Sequence, residues 1–366
     1  MRRSSSTSPC SVNGTLKSTR TSTRCPDTST SSMDTLAMCS LHAGSDGYGT
    51  RVHQYGKTMS TSLPSPQTIL ILGPTAGGKT SLALHIARTV PEGGECIGAD
   101  SMQVYRGMDI GTAKPDADEL GDTPHHLIDV VEPADTYTVD HWLRQATHCE
   151  REIRRRGHVP IFVGGTNLYL QALLGGFLEG PEPDPKIRAE LEKLDRMELR
   201  SRLESVDPAS ADRIHPNDRR RTVRALEVHA LCGQPLSAMQ GQWAASPART
   251  DIRIIGLEWA PEAINPRINA RVKAMFEAGF VDEVRTLRAA GSIGPQASEA
   301  LGYKQILEHL SGQRSLEETI EEVKIRTRRF AKQQRTWLRR FKHLFGGFWV
   351  DASENSTQDI ASKALT

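Results

Sequence analysis

The sequence has few aromatic residues, no long apolar run and almost no excess of charge. Phe, Trp and Tyr make up 5% of the 366 residues. No stretch approaches the roughly 18 consecutive apolar residues that a membrane helix needs, so the sequence predicts no transmembrane segment. The formal net charge is only +2. A charged partner must therefore be inferred from where the charges lie, not from their sum.

The cysteines form neither a C-x-x-C pair nor a tight cluster with histidine. The six cysteines are Cys10, Cys25, Cys39, Cys96, Cys149 and Cys232. This spacing argues against a structural zinc site and against a disulfide framework, and it predicts a protein of a reducing compartment.

The first 66 residues are rich in Ser and Thr, carry scattered Arg, and show almost no apolar periodicity. This composition predicts a disordered tail. Two alternatives stay open. Translation can begin at Met59, nine residues before the first predicted strand, or the tail can be an organellar transit peptide, although it lacks a clear apolar face.

A phosphate-binding loop of the form G-x-x-x-x-G-K-T follows an apolar strand, residues 68–72, and precedes a helical pattern, residues 81–88. Glycines allow backbone N–H groups to surround phosphate oxygens, the lysine adds a charge, and the final hydroxyl can bind Mg²⁺. The predicted diphosphate-binding residues are Gly73, Pro74, Thr75, Ala76, Gly77, Gly78, Lys79 and Thr80. The motif predicts a diphosphate or triphosphate ligand without saying which.

Two further strands are predicted to end beside this loop. Residues 95–99 lead into Asp100, and residues 158–163 lead into Thr166. Ligands of open parallel sheets bind outside the carboxyl ends of the strands, so both side chains are candidates for the site. The alternative for Asp100 is that it only caps the following turn.

The segment 104–115 is interrupted by glycines and predicts a loop across the site. Within it, Arg106 and Lys114 are expected either to reach phosphates or to be solvated surface charges. Residues 125–131 predict another strand, on which His125 and His126 would point to opposite faces and would not share a metal.

The overall pattern predicts an α/β fold with a P-loop NTPase-like parallel sheet. The predicted core comprises residues 67–177 and 251–352, the latter including C-terminal helices. No strand pattern occurs within 178–250, which predicts a helical insertion, and 353–366 is expected to be a tail.

The predicted helix 316–341 becomes strongly basic in its second half. Its cations are Lys324, Arg326, Arg328, Arg329, Lys332, Arg335, Arg339 and Arg340. Phe330, Trp337 and Phe341 lie between them. Such a segment suits a nucleic-acid backbone, and the alternative is a solvated helix face.

Several motifs together closely resemble the tRNA dimethylallyltransferase (tRNA isopentenyltransferase) family, bacterial type. They occupy residues 73–80, 100–115, 163–169, 215–218, 224–227, 302–305 and 331–337. The resemblance extends from about residue 67 to 352. Gly77 stands where the family loop usually has serine.

The resemblance implies transfer of a dimethylallyl group from its diphosphate to N6 of the adenosine 3′ of the anticodon in tRNA (position 37), with release of pyrophosphate. Asp100 would take the amine proton. Thr75 would touch the diphosphate near the bond that breaks. Lys79, with Mg²⁺ held by Thr80, would stabilise the leaving group.

The resemblance also implies contacts to the anticodon stem-loop of tRNA, with the target base flipped out of its stack and the helical insertion embracing the RNA. The residues implied are Asp100, Ser101, Met102, Gln103, Thr166, Arg188, Arg220, Arg221, Thr222, Val223, Arg224, Glu299, Ala300, Leu301, Gly302, Tyr303 and Lys304. A cytoplasmic, bacterial, monomeric enzyme is expected, with organellar import through the tail as the alternative.

Two other functions remain open from the residues alone. A nucleoside or small-molecule kinase would use ATP, with residues 219–224 as phosphate clamps and Asp129 as the metal carboxylate. An RNA-binding protein would keep the loop as a structural anion site. A GTPase is disfavoured because no N-K-x-D motif is present.

Overall fold

A parallel six-stranded sheet runs through the residues that the computed structural model describes, which are 67–176, 180–244 and 249–366. Its strands are β1 (Thr68–Leu72), β2 (Gly94–Ala99), β3 (His125–His126), β4 (Val159–Gly164), β5 (Ile252–Glu258) and β6 (Phe348–Asp351). Their order is β3-β2-β4-β1-β5-β6, with every neighbouring pair parallel. The α/β class predicted from the sequence is confirmed. The predictions for residues 1–66 lie outside the described residues.

Fifteen helices surround the sheet within the same ranges. They are α1 (Lys79–Thr89), α2 (Ala117–Leu120), α3 (Val139–Arg155), α4 (Asn167–Gly175), α5 (Pro185–Lys193), α6 (Arg196–Val206), α7 (Pro208–Arg213), α8 (Arg219–Cys232), α9 (Leu236–Ala244), α10 (Pro261–Glu277), α11 (Phe280–Ala289), α12 (Pro295–Ser298), α13 (Tyr303–Leu310), α14 (Leu316–Phe345) and α15 (Thr357–Leu365). No helix in the described ranges is long and apolar enough to cross a membrane.

The central strand β1 is buried along its whole length because both faces of the sheet are covered. Ile69 and Ile71 pack in one cluster with α1 and α15. Leu70 and Leu72 pack in the other, with α3 and α4. Burying a side chain of this size stabilises the fold by about 1.5–3 kcal/mol. The sheet is therefore a rigid platform for the loop that leaves the end of β1.

The strand predicted over residues 125–131 is wrong beyond its first two residues. Leu127 and Asp129 adopt positive φ values of 63° and 53°, which interrupt an extended strand. Only an isolated bridge between Tyr105 and Val131 continues the pairing. The apolar spacing gave no sign of this break, because it results from contacts with residues distant in the sequence.

The predicted C-terminal tail is also wrong, since most of it is the helix α15. Ser356 begins α15 with a capping box, as Ser315 does for α14. Ile360, Ala361 and Ala364 are buried in the cluster that contains α1. The last residues of the chain therefore complete one face of the core.

The described part of the segment between α4 and β5 is helical, from α5 to α9. It has its own hydrophobic cluster, in which Leu199, Leu203 and Ala211 are almost fully buried. A helical insertion with a small core of its own thus interrupts the sheet sequence between β4 and β5. Its part in binding RNA stays a prediction.

Candidate functional site

The phosphate loop, residues 73–80, leaves the end of β1 and enters α1 in a tightly held conformation. The Gly77 N–H donates to the Pro74 carbonyl at 3.1 Å. A Cβ on Gly77 would lie 2.8 Å from that same oxygen, so this backbone accepts no side chain at position 77 without moving. Ala76 has a positive φ of 61°. The conformation of the loop is therefore fixed by contacts within the protein.

A cavity of about 550 Å³ opens above this loop. Its walls bring together parts of the chain that are far apart in sequence. The lining includes Thr75, Ala76, Gly77, Gly78, Lys79, Thr80, Asp100, Gln103, Gly165, Arg267, Arg271, Phe330 and Gln334. The predicted catalytic residues Thr75, Lys79 and Asp100 thus share one cavity. A Cβ on Gly73 would lie 3.1 Å from the Leu257 side chain, so Gly73 packs closely against β5.

Lys79 and Arg271 are two buried cations of the cavity, and the Asp100 carboxylate in the same cavity opposes part of their charge. The Lys79 ammonium donates to the Pro74 carbonyl at 2.8 Å. Burial and, to a smaller extent, Arg271 lower its pKa to about 8, and Asp100 opposes the shift. Burial also lowers the pKa of Arg271. Within the described residues no carboxylate forms an ion pair with either cation. Two buried cations without an ion-pair partner suit an anionic ligand.

Asp100 follows β2 and points into the same cavity. One carboxylate oxygen, Oδ1, accepts hydrogen bonds from the Met102 and Gln103 N–H groups at 2.9 and 3.4 Å. Thr166, after β4, accepts from the Ser101 N–H at 2.9 Å. Both interpretations of Asp100 from the sequence therefore hold, because it caps a turn with one oxygen and lines the cavity.

Thr80, in the first turn of α1, is the metal ligand predicted from the sequence, and it lines the cavity. No group of three or more His, Cys, Asp or Glu side chains suited to a metal occurs among the residues that are described. The single hydroxyl donor of Thr80 fits Mg²⁺, which commonly binds through few protein oxygens together with phosphate and water. His126 contacts the Glu95 carboxylate at 2.7 Å, whereas His125 lines the cavity, where burial lowers its pKa to about 4.

Comparison with known proteins identifies the family. A model described as "IPP transferase" matches residues 103–341, and one described as "Isopentenyl transferase" matches residues 66–131. The chain belongs to the IPP transferase family. A tRNA dimethylallyltransferase of Geobacter sulfurreducens is 47% identical over 302 residues, which cover 81% of this chain and 96% of the relative. The resemblance predicted from the sequence is confirmed, as is the class of enzyme, a transferase.

Solved structures of relatives agree with this assignment. A tRNA delta(2)-isopentenylpyrophosphate transferase from Staphylococcus epidermidis superposes with a TM-score of 0.60 at 36% identity, covering 82% of this chain and 97% of that chain. A eukaryotic dimethylallyltransferase, described as acting on tRNA, gives a TM-score of 0.72 at 30% identity, covering 82% and 78%.

The loop between β2 and β3 is stabilised by Lys114, which also lines the cavity. Its ammonium donates to the Tyr105 carbonyl and to the carboxylates of Asp109 and Asp129. The side chain is only 5% exposed. Arg106 lies at the surface in an exposed ion pair. Lys114 is therefore not a solvated surface charge, and its contact with phosphate stays a prediction.

The residues predicted to bind tRNA fall into exposed and internal groups. On α8, Arg220 and Arg221 are exposed, whereas Thr222 and Val223 are buried. Arg188 and Arg224 are partly exposed, and both pair with the fully buried carboxylate of Glu227. Their guanidinium groups are thus held in fixed positions at the surface.

The predicted tRNA segment 299–304 is divided in the same way. Ala300 and Tyr303 are buried, and the Tyr303 hydroxyl donates to the Glu283 carboxylate. Glu299 and Lys304 form an ion pair at the surface, at 2.8 Å. The side chains with exposed surface are therefore those of Glu299, Leu301 and Lys304. The tRNA contacts themselves stay predictions.

Sequence reasoning did not place Arg267, Arg271, Phe330 and Gln334 in the cavity, although Phe330 was noted on the basic helix. The two arginines are four positions apart on α10, which places them on one face of that helix. Arg267 donates to the Ala76 carbonyl at 3.1 Å and lies 4.8 Å from the Trp259 ring centroid. The signal that could have found them was this spacing, in the helix that follows the neighbouring strand β5.

Proposed function

We propose that this chain transfers a dimethylallyl group from dimethylallyl diphosphate to N6 of the adenosine 3′ of the anticodon in tRNA. The observation that carries the proposal is the single cavity in which Asp100 faces the unpaired cations Lys79 and Arg271. A base for the amine and positive charge for a diphosphate are the two requirements of this reaction.

In the proposed reaction the C1–O bond of the prenyl diphosphate breaks and the bond between C1 and N6 forms. The N6 proton passes to the Asp100 carboxylate, and the electron pair leaves with pyrophosphate. The phosphate loop, Lys79 and Arg271 stabilise the charge that develops on the leaving group. Thr80 would hold Mg²⁺, which adds further charge stabilisation when bound.

The proposed RNA partner is supported by the basic half of α14. Its cations extend along one helix that also places Phe330, 40% exposed, in the wall of the cavity. Aromatic side chains beside cations favour contact with unstacked bases and phosphates. The residues that line the cavity come from one chain, so we propose a monomer. We also propose a cytoplasmic enzyme, since tRNA is its proposed substrate.

The kinase alternative loses its metal carboxylate in this structure. Asp129 was the candidate, and it is engaged by the buried Lys114 ammonium. A phosphoryl-transfer enzyme of the P-loop type would need such a carboxylate free to bind the metal.

The experiment that tests the proposal uses the full chain with unmodified tRNA, Mg²⁺ and dimethylallyl diphosphate, followed by mass analysis of the nucleosides. We expect N6-dimethylallyladenosine, and we expect chelation of Mg²⁺ to slow its formation. The tRNA affinity should fall steeply with salt because several phosphate contacts release counterions. Absence of the modified nucleoside, with turnover of ATP instead, would overturn the proposal.

A further inference from the structure

One buried side chain connects the basic helix α14 to the phosphate loop. The Gln334 carbonyl oxygen, Oε1, accepts a hydrogen bond from the Thr75 N–H at 2.8 Å. Its amide nitrogen, Nε2, donates to the Gly165 carbonyl at 3.0 Å. The residue is 3% exposed. Gln334 thus joins the ends of β1 and β4 at the floor of the cavity.

The fit around this amide is close. A Cβ on Gly165 would lie 2.5 Å from Gln334 Nε2, so the absence of a side chain at Gly165 is what admits the glutamine. A buried N–H or C=O that loses its partner costs about 1–3 kcal/mol, which makes this arrangement strongly preferred over any in which the amide turns away.

The Thr75 N–H is consequently committed to the protein and not to the ligand. The Gly77 N–H is committed in the same way, to Pro74. The first half of the loop is therefore held by internal contacts, and the amides at the start of α1 are those left for phosphate oxygens. The conformation of Thr75, which lines the cavity, depends on Gln334.

We propose that Gln334 is a positioning residue for prenyl transfer, which holds Thr75 against the departing diphosphate and acts on the reaction only through it. The inference rests on the proposed function. It assigns to α14 a second role beside RNA contact, because the same helix that carries the cations fixes the loop.

The test is Gln334→Met, which keeps the volume and removes both hydrogen bonds. A displaced catalytic group costs about 100-fold in rate, so we expect kcat to fall by about that factor. The KM for dimethylallyl diphosphate and the Kd for inorganic pyrophosphate should change by less than about threefold, since the lost contact matters in the transition state. The matched control is Gln333→Met, the exposed neighbour on α14, for which kcat should stay unchanged.

A double-mutant cycle with Thr75→Ala separates positioning from general damage. If Gln334 acts through Thr75, the double variant should be no slower than the slower single variant. Losses that multiply would overturn the assignment while leaving the proposed function intact. If the wild-type chain formed no modified nucleoside, the proposed function would fail and this inference with it.

Should Gln334→Met not fold, Gln334→Glu replaces it in the cycle. Glutamate keeps an acceptor for the Thr75 N–H and loses the donor to Gly165. We expect a smaller loss of kcat than for Thr75→Ala, again with no further loss in the double variant. A KM that rises while kcat stays constant would overturn the proposal in either series.

Discussion

The cavity and the helical insertion use arginine and lysine in opposite ways. In the cavity, Lys79 and Arg271 have no carboxylate ion-pair partner within the described ranges, and burial lowers the pKa of each. In the insertion, Arg188 and Arg224 share the buried carboxylate of Glu227, at 2.8 and 2.6 Å. The first pair of cations interacts with carboxylates only beyond ion-pair distance, whereas the second pair is fixed in place by one.

The difference reflects what each region is expected to bind. A diphosphate enters the cavity and brings enough negative charge to compensate two buried cations. A tRNA backbone lies on an open surface, where long flexible side chains lose entropy when they are ordered. A buried carboxylate that orders two guanidinium groups in advance lowers that cost and still leaves a net positive charge.

The largest expected effect comes from removing the carboxylate of the cavity. Asp100→Asn keeps an oxygen for the turn but cannot accept the amine proton. We expect prenyl transfer to slow by about 1,000-fold, within the range for a lost general base, while tRNA affinity changes by a few fold. Single-turnover rates and filter binding measure the two quantities. The control is Asp122→Asn, which changes an exposed residue. If the Asp100→Asn enzyme worked at the normal rate, Asp100 would not be the general base.

Removing a cation of the cavity should have the next largest effect. Arg271→Ala deletes a charged donor, and we expect pyrophosphate to bind about 10- to 100-fold more weakly, as for loss of a charge-assisted hydrogen bond. Titration calorimetry with pyrophosphate and Mg²⁺ gives the affinity. Lys273→Ala is the matched control, because it removes an exposed cation from the same helix. Equal weakening in both variants would mean that only net charge matters.

The pH dependence of pyrophosphate binding should reveal Lys79. Its pKa is lowered to about 8, so the ammonium is present below pH 8 and is lost as the pH rises through that value. Between pH 7 and 9 we expect the affinity to fall about tenfold, because the charged fraction falls by about that factor. Arg271 stays charged over this range.

The control for this measurement is Lys79→Ala, titrated with the same ligand. Pyrophosphate changes its own ionisation near this pH, and that contribution is common to both proteins. The ratio of the two affinities should therefore decline through pH 8. If the ratio stayed constant with pH, a group other than Lys79 would be responsible for the pH dependence.

The parts of this protein that the sequence predicts best are those determined by local chemistry. The phosphate loop, the strands beside it and the position of Asp100 follow from residues adjacent in the chain. Arg271 and Gln334 were missed because each reaches the cavity from a helix remote in sequence. The ion pairs of Lys114 were not predicted, because the fold brings its two carboxylate partners to it. Gly279, with a φ of 99°, separates α10 from α11.

Glu227→Gln is expected to have the smallest effect. It also tests the contrast between the two regions most directly. Glutamine keeps the shape but not the charge that orders Arg188 and Arg224, and it weakens the contact to the Asp184 N–H at 2.9 Å. We expect a loss of about 2 kcal/mol in the free energy of unfolding, as for hydrogen bonds to a charged group.

In the same Glu227→Gln variant the KM for tRNA should rise a few fold while the pyrophosphate affinity stays the same. Denaturant titration and steady-state kinetics supply the two measurements. Glu190→Gln, an exposed carboxylate paired with Lys193, is the control and should change neither. If Glu227→Gln bound tRNA more tightly, the carboxylate would be acting as a repulsive charge rather than as the group that orders the two arginines, and the contrast with the cavity would fail.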